Sequence, residues 1–306
     1  MDLVEEIKRL KKEKNALILA HYYQPDEIQD IADYLGDSLK LSQIARDSDS
    51  NFIIFCGVSF MAETAKILAP EKRVFLPAKN AGCRMTRFIN AKSLQEYKDK
   101  NPDTKILMYV NSEADVKALA DCCVTSSNAM QIIKYYLDNG EKILYAPDKN
   151  LANYAMEQMG VKFEAWQGCC ITHQMLQREE VLKLKKKYPN ALVLAHPECN
   201  LEVLKISDYV GSTKGIIQYA HESDKKEFII ATENGVLHQM KKNDSDKVFH
   251  MASPRLVCPN MKLTTLQQVY DCLNEEVNEV FVDETIAKGA KRSLDKMMEL
   301  SQKLVK

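Results

Sequence analysis

The chain has 306 residues, with 42 Lys and Arg against 43 Asp and Glu, and nine cysteines. This balance leaves no basic stripe to grip nucleic acid, and no apolar stretch approaches the roughly eighteen residues of a membrane span. The opening MDLVEEIKRL lacks a signal-peptide core, so we expect a cytoplasmic protein whose cysteines serve metal binding or catalysis rather than disulfides.

In chain order, residues 2–13 read as a leading helix and Ala16–Ala20 as a short buried strand. Pro25 opens a helical pattern, PDEIQDIADYL, that Gly36 is expected to end; acidic residues in its first turn suit the helix dipole. Asp37 or Ser38 would cap a second helix, LKLSQIARD. A strand over 52–56, a helix through MAETAKIL stopped by Pro70, a short strand and a loop bearing Cys83 complete the first unit.

The series then starts again. NALILAH from Asn15 returns as NALVLAH from Asn190, with a more diverged copy, DTKILMY, from Asp103. Asp33, Asp121 and Asp208 align, and Ser38, Ser126 and Thr213 stand five residues beyond them. The strand-like runs FIIFC, KILYA and EFIIA match, and the copies close on Cys83, Cys170 and Cys258, 87 and then 88 residues apart. A fixed long period means one structural unit reused. We therefore expect an α/β protein of three pseudo-threefold-related repeats, each a small parallel sheet flanked by helices, around a shared interior. The expected divisions are 1–88 with the leading helix, 89–175, 176–262, and a helical tail over 263–306 packed back on the body.

Equivalent residues of three such units meet on the axis between them. Three thiolates there suit zinc or an iron–sulfur cluster, and a cubane on three cysteines keeps one iron open as a Lewis acid. Zinc with three cysteines and a water fits the spacing too, and His173 could close a Cys3His zinc site. Ligands of parallel α/β sheets bind beyond the carboxyl ends of the strands. The residues leaving the first strand of each copy are His21, Tyr109 and His196; two positions on stand Tyr23, Asn111 and Glu198. Ser38, Ser126 and Thr213 sit at expected helix starts, where free N–H groups favour anions. Cys56, Cys122, Cys123, Cys169, Cys199 and Cys272 read as small buried hydrophobes, with Cys169 and Cys199 nearest the expected cavity.

These segments together resemble the quinolinate synthase family. The motifs are AHYYQ (20–24), GDS (36–38), AGC (81–83), YVNS (109–112), TSSN (125–128), WQGCCITH (166–173), HPEC (196–199), GST (211–213) and CPNMK (258–262). The resemblance implies a trilobal fold and a 4Fe–4S cluster on Cys83, Cys170 and Cys258. It implies condensation of iminoaspartate with dihydroxyacetone phosphate to quinolinate, phosphate and two waters, fed by an iminoaspartate-producing oxidase or dehydrogenase. The implied substrate contacts are His21, Ser38, Tyr109, Val110, Asn111, Ser126, His196, Pro197, Glu198, Ser212 and Thr213. Glu198 and Tyr23 are the candidates for proton transfer, and His21 and His196 for orienting and neutralising anions. CPNM carries no neighbouring cysteine, so a redox disulfide at the third ligand is not implied. A different cluster-dependent hydro-lyase, or a metabolite or redox sensor without turnover, is the competing expectation.

Overall fold

The computed structural model describes residues 2–304. Its strands form three four-stranded sheets, all parallel, with one shared strand order. The first contains β1 (Ala16–His21), β2 (Tyr34–Gly36), β3 (Phe52–Cys56) and β4 (Arg73–Phe75), ordered β2-β1-β3-β4. The second contains β5 (Thr104–Tyr109), β6 (Cys122–Val124), β7 (Lys142–Ala146) and β8 (Glu164–Ala165), ordered β6-β5-β7-β8. The third contains β9 (Leu192–Ala195), β10 (Tyr209–Val210), β11 (Glu227–Ala231) and β12 (Val248–Met251), ordered β10-β9-β11-β12.

The repeated aspartates explain the shared topology. Asp33, Asp121 and Asp208 each accept, at 2.8 Å, the backbone N–H of Ile18, Ile106 and Val193 in the first strand of their own sheet. Their own N–H groups return to the carbonyls of the same three residues. That clasp corrects one expectation. The helix opened by Pro25 stops at Ile31 rather than Gly36, because Ala32 is extended and Asp33 must turn back onto β1. Tyr34–Gly36 is then a strand, as are its counterparts β6 and β10, so each unit has four strands where periodicity showed three.

Alternation along the strands decides what each sheet face meets. In the first sheet Leu19, Ile53 and Phe55 join a large apolar cluster that also holds Leu107 of the second and Leu194, Phe228 and Ile230 of the third. Ile18, Ala20, Ile54 and Cys56 face the other way and are covered by Ile7 and Leu10 of helix Leu3–Glu13 and by Val269, Cys272 and Leu273 of helix Leu266–Glu275. Each Ile, Leu or Val side chain among them contributes about 1.5–3 kcal/mol when removed from water. The leading helix and the tail thus close the outer face of the first sheet. The tail also covers an edge: Leu76 N–H donates to Asn278 and Val280 N–H to the Val74 carbonyl, protecting β4 from further pairing. The 21-residue helix Glu284–Leu304 buries Leu294, Met297 and Leu300 in the central cluster. No helix among the described residues is long and apolar enough to cross a membrane.

Candidate active site

Beyond the carboxyl ends of the strands lies one cavity of about 430 Å³, lined from all three units. Cys83, Cys170 and Cys258 all face it. Each is the residue that precedes a short helical turn: Arg84–Phe88, Ile171–Gln174 and Pro259–Lys262. Backbone N–H groups in those turns point at the sulfurs, from Met85 and Thr86, from His173, and from Met261 and Asn260. Burial holds all three thiols protonated, Cys83 at about 12, and each of the others is raised too. A bound cation would invert that preference and draw off the protons.

The strand-exit residues meet the same space. His21, Tyr23, Tyr109, Val110, Asn111, His196 and Glu198 line the cavity, as do Ser38, Ser126 and Thr213. Pro197 and Ser212 do not line it; Ser212 instead caps helix Thr213–Glu222 by accepting the Gly215 N–H. Ser38 and Thr213 open their helices as expected. Ser126 does not: it sits in a turn ahead of helix Ala129–Asp138, where Asn128 closes the loop by accepting the Thr125 N–H at 2.6 Å. Cys199 points away, its thiol donating to the Ala231 carbonyl.

The two histidines are fixed in one form by their own loops. His21 Nδ1 accepts the Tyr23 N–H at 3.1 Å and His196 Nδ1 accepts the Glu198 N–H at 3.3 Å. With Nδ1 an acceptor, each neutral ring carries its proton on Nε2. Burial depresses both, His21 to about 3 and His196 to about 4. In this form each ring can orient an anion by donating a hydrogen bond from Nε2.

Between the histidines runs a continuous polar chain. Tyr23 Oη lies 2.9 Å from Thr213 Oγ1 and 2.8 Å from Thr232 Oγ1. Thr232 in turn lies 3.0 Å from His173 Nε2. His173 Nδ1 is 2.9 Å from Glu198 Oε2 and 3.2 Å from Cys170 Sγ, and Tyr109 donates to Glu198 Oε1 at 2.7 Å. Burial alone would raise the Glu198 carboxyl; His196, His173 and the Tyr109 hydroxyl hold it below its usual range. Tyr23 and Tyr109 are raised, first by burial and then by the Glu198 charge. Glu198 is therefore an anion flanked by two neutral phenols. Ligand atoms of Cys170, His173 and Glu198 all lie within 4.8 Å of one another, close enough to share a metal ion.

Thr232, Asp148 and Glu233 were not legible as site residues, although all three are fully buried beside it. They follow the third strand of a unit rather than the first. Applying the strand-exit rule to β7 and β11 would have found them.

The family model described as quinolinate synthetase A protein matches residues 5–299. The chain belongs to the quinolinate synthase family. It is 49% identical to the quinolinate synthase of Alkaliphilus metalliredigens over 300 residues, covering 98% of each chain. It is 48% identical to that of Clostridium perfringens over 301 residues, 98% of this chain and 99% of the relative. Against that of Caldicellulosiruptor bescii the identity is 49% over 299 residues, 97% and 98% of the two chains.

Proposed function

We propose that this chain is a quinolinate synthase that condenses iminoaspartate with dihydroxyacetone phosphate, giving quinolinate, phosphate and two waters. The observation that carries the reading is the convergence of three repeat-equivalent cysteines and a buried acid–base chain on one cavity, in a chain that matches the family over residues 5–299.

Cys83, Cys170 and Cys258 would hold a 4Fe–4S cluster, and the residues fit one: three thiols share a cavity, and each sulfur meets backbone N–H groups. Bound there, the cluster supplies Lewis acidity for the departure of hydroxyl groups as water. Both ring nitrogens of His173 are engaged by protein partners, which argues against its completing a closed zinc site.

The chain's own residues then bind the substrates and move protons. His21 and His196 donate Nε2–H to carboxylate or phosphate oxygens. The amino ends of helices Ser38–Asp47 and Thr213–Glu222 add free N–H groups for the same anions. Glu198, anionic and buried, takes the proton whose removal beside a carbonyl allows carbon–carbon bond formation. Tyr23, a neutral phenol, returns a proton to a leaving hydroxyl, and Thr232 and His173 connect it to Glu198 for resetting. An iminoaspartate-producing oxidase or dehydrogenase would supply the first substrate.

The test is quinolinate formation without oxygen, from freshly generated iminoaspartate and dihydroxyacetone phosphate, on protein shown to contain iron and sulfide. Product that disappears on chelation of iron is the expected result. A loaded protein that makes none would turn the reading towards another hydro-lyase or a sensor.

A further inference from the structure

Two residues beyond the ends of β3, β7 and β11 stand Val58, Asp148 and Glu233. The next residue shows that the positions are equivalent. Ser59 N–H donates to the Ala81 carbonyl at 2.7 Å, Lys149 to Gly168 at 2.8 Å, and Asn234 to Leu256 at 2.9 Å. Each acceptor lies two residues before the cavity cysteine of its copy.

In the second and third copies this position carries a buried carboxyl group that accepts the backbone N–H of the cysteine itself. Asp148 Oδ2 accepts from Cys170 at 3.1 Å and Glu233 Oε1 from Cys258 at 3.0 Å. The remaining oxygens are committed too. Asp148 Oδ1 accepts the Leu151 N–H at 2.8 Å, and Glu233 Oε2 accepts the Gly235 N–H at 2.7 Å. Lys262 adds its ammonium at 3.0 Å from Glu233. Both carboxyl groups are completely shielded from solvent, so no water competes for these bonds and a donor left unpaired there is costly.

The first copy lacks this device. Val58 has no acceptor to offer, and among the described residues no carboxylate receives the Cys83 amide. Its loop is tied across to the third by a neutral contact, the Asn260 side-chain amide donating to the Gly82 carbonyl. A threefold arrangement of thiols therefore rests on an unequal foundation.

We propose that Asp148 and Glu233 are positioning residues that hold the Cys170 and Cys258 loops in register for the cluster, leaving Cys83 the least constrained ligand and the first to be released. This rests on the cluster in the proposed function. Partners behind metal ligands orient them, and removing one costs 10–100-fold in metal affinity.

The experiment compares the reconstituted full chain with Asp148→Asn and Glu233→Gln, without oxygen. Either amide can keep one acceptor contact but turns an N–H towards an N–H at the other. Both variants should release iron to a ferrous chelator about 10–100-fold faster than the parent, with an altered electron-paramagnetic signal from the reduced cluster and unchanged melting of the iron-free chains. Release within twofold of the parent would overturn the proposal. So would an equal loss of melting temperature with and without iron, which marks a purely structural role.

A second measurement needs no substitution. Parent protein partly depleted of iron is alkylated with iodoacetamide and mapped by mass spectrometry, each rate divided by that of the iron-free chain. Cys83 should lead; labelling led by Cys170 or Cys258 would overturn the proposal even if both variants failed to fold. A parent chain that takes up no iron and sulfide overturns the cluster reading itself, and shows it before any variant is compared.

Discussion

Replacing Glu198 by glutamine separates charge from shape at the centre of the site. The carboxylate accepts the Tyr109 hydroxyl at 2.7 Å and faces His173 Nδ1 at 2.9 Å, in a buried position. Glutamine can keep the first contact through its carbonyl oxygen. Its amide can donate to His173 Nδ1 if that ring moves its proton to Nε2, where Thr232 Oγ1 is 3.0 Å away and can accept. Both hydrogen bonds survive, so the stability cost should stay within about 1–2 kcal/mol. What is lost is the base. General-base catalysis contributes about 10²–10⁴-fold, so kcat should fall by that factor, about 3–5.5 kcal/mol of barrier. KM should change much less, because neither neighbour is displaced. The assay is quinolinate formation without oxygen at matched iron and sulfide content. A loaded Glu198→Gln protein that turns over within threefold of the parent would remove Glu198 from proton transfer. A raised KM at unchanged kcat would make it a binding residue instead.

Four further outcomes follow from other parts of the molecule. Cys83→Ala should lose bound iron and turnover together, checked by metal and sulfide analysis; a fully retained cluster would sink the ligand assignment. A Cβ at Gly235 would fall 2.6 Å from the Tyr22 carbonyl oxygen and 2.7 Å from Tyr23 Cα. Gly235→Ala should therefore cost about 1–3 kcal/mol in denaturant melts and cut turnover by up to about 10²-fold through a displaced Tyr23. Asp121→Ala leaves the buried Ile106 N–H without its side-chain acceptor and should cost about 1–3 kcal/mol in urea titration, with no change in iron content. His196, held near 4 against 6.5 in the unfolded chain, makes the unfolded state bind the extra proton as pH falls. Its share of stability is intact above pH 6.5 and lost towards pH 4, about 2 kcal/mol of it by pH 5. His196→Asn in the iron-free chain should therefore show a shallower loss of urea stability between pH 7 and pH 5 than the parent.

The sequence by itself determined the repeat, because equivalent units need the same residues at the same joints. Asp33, Asp121 and Asp208 recur since each must clasp the first strand of its sheet, and that clasp reads as a fixed period in one dimension. The three cysteines, the strand-exit residues and the family motifs were legible on the same ground. The edge strands β2, β6 and β10 were not: two or three residues give no alternation to read, and pairing with a neighbour makes them strands. Ser126 looked like a helix start until Asn128 was seen to close the turn ahead of that helix. Only the tertiary structure set the protonation of the histidines, because it is the backbone N–H groups of Tyr23 and Glu198 that occupy Nδ1. It also joined Tyr23, Thr232, His173 and Glu198, which stand as far as 209 residues apart in the chain, into one hydrogen-bonded path. Period and composition are properties of a line, whereas a proton path depends on which atoms come within about 3 Å once the line is folded.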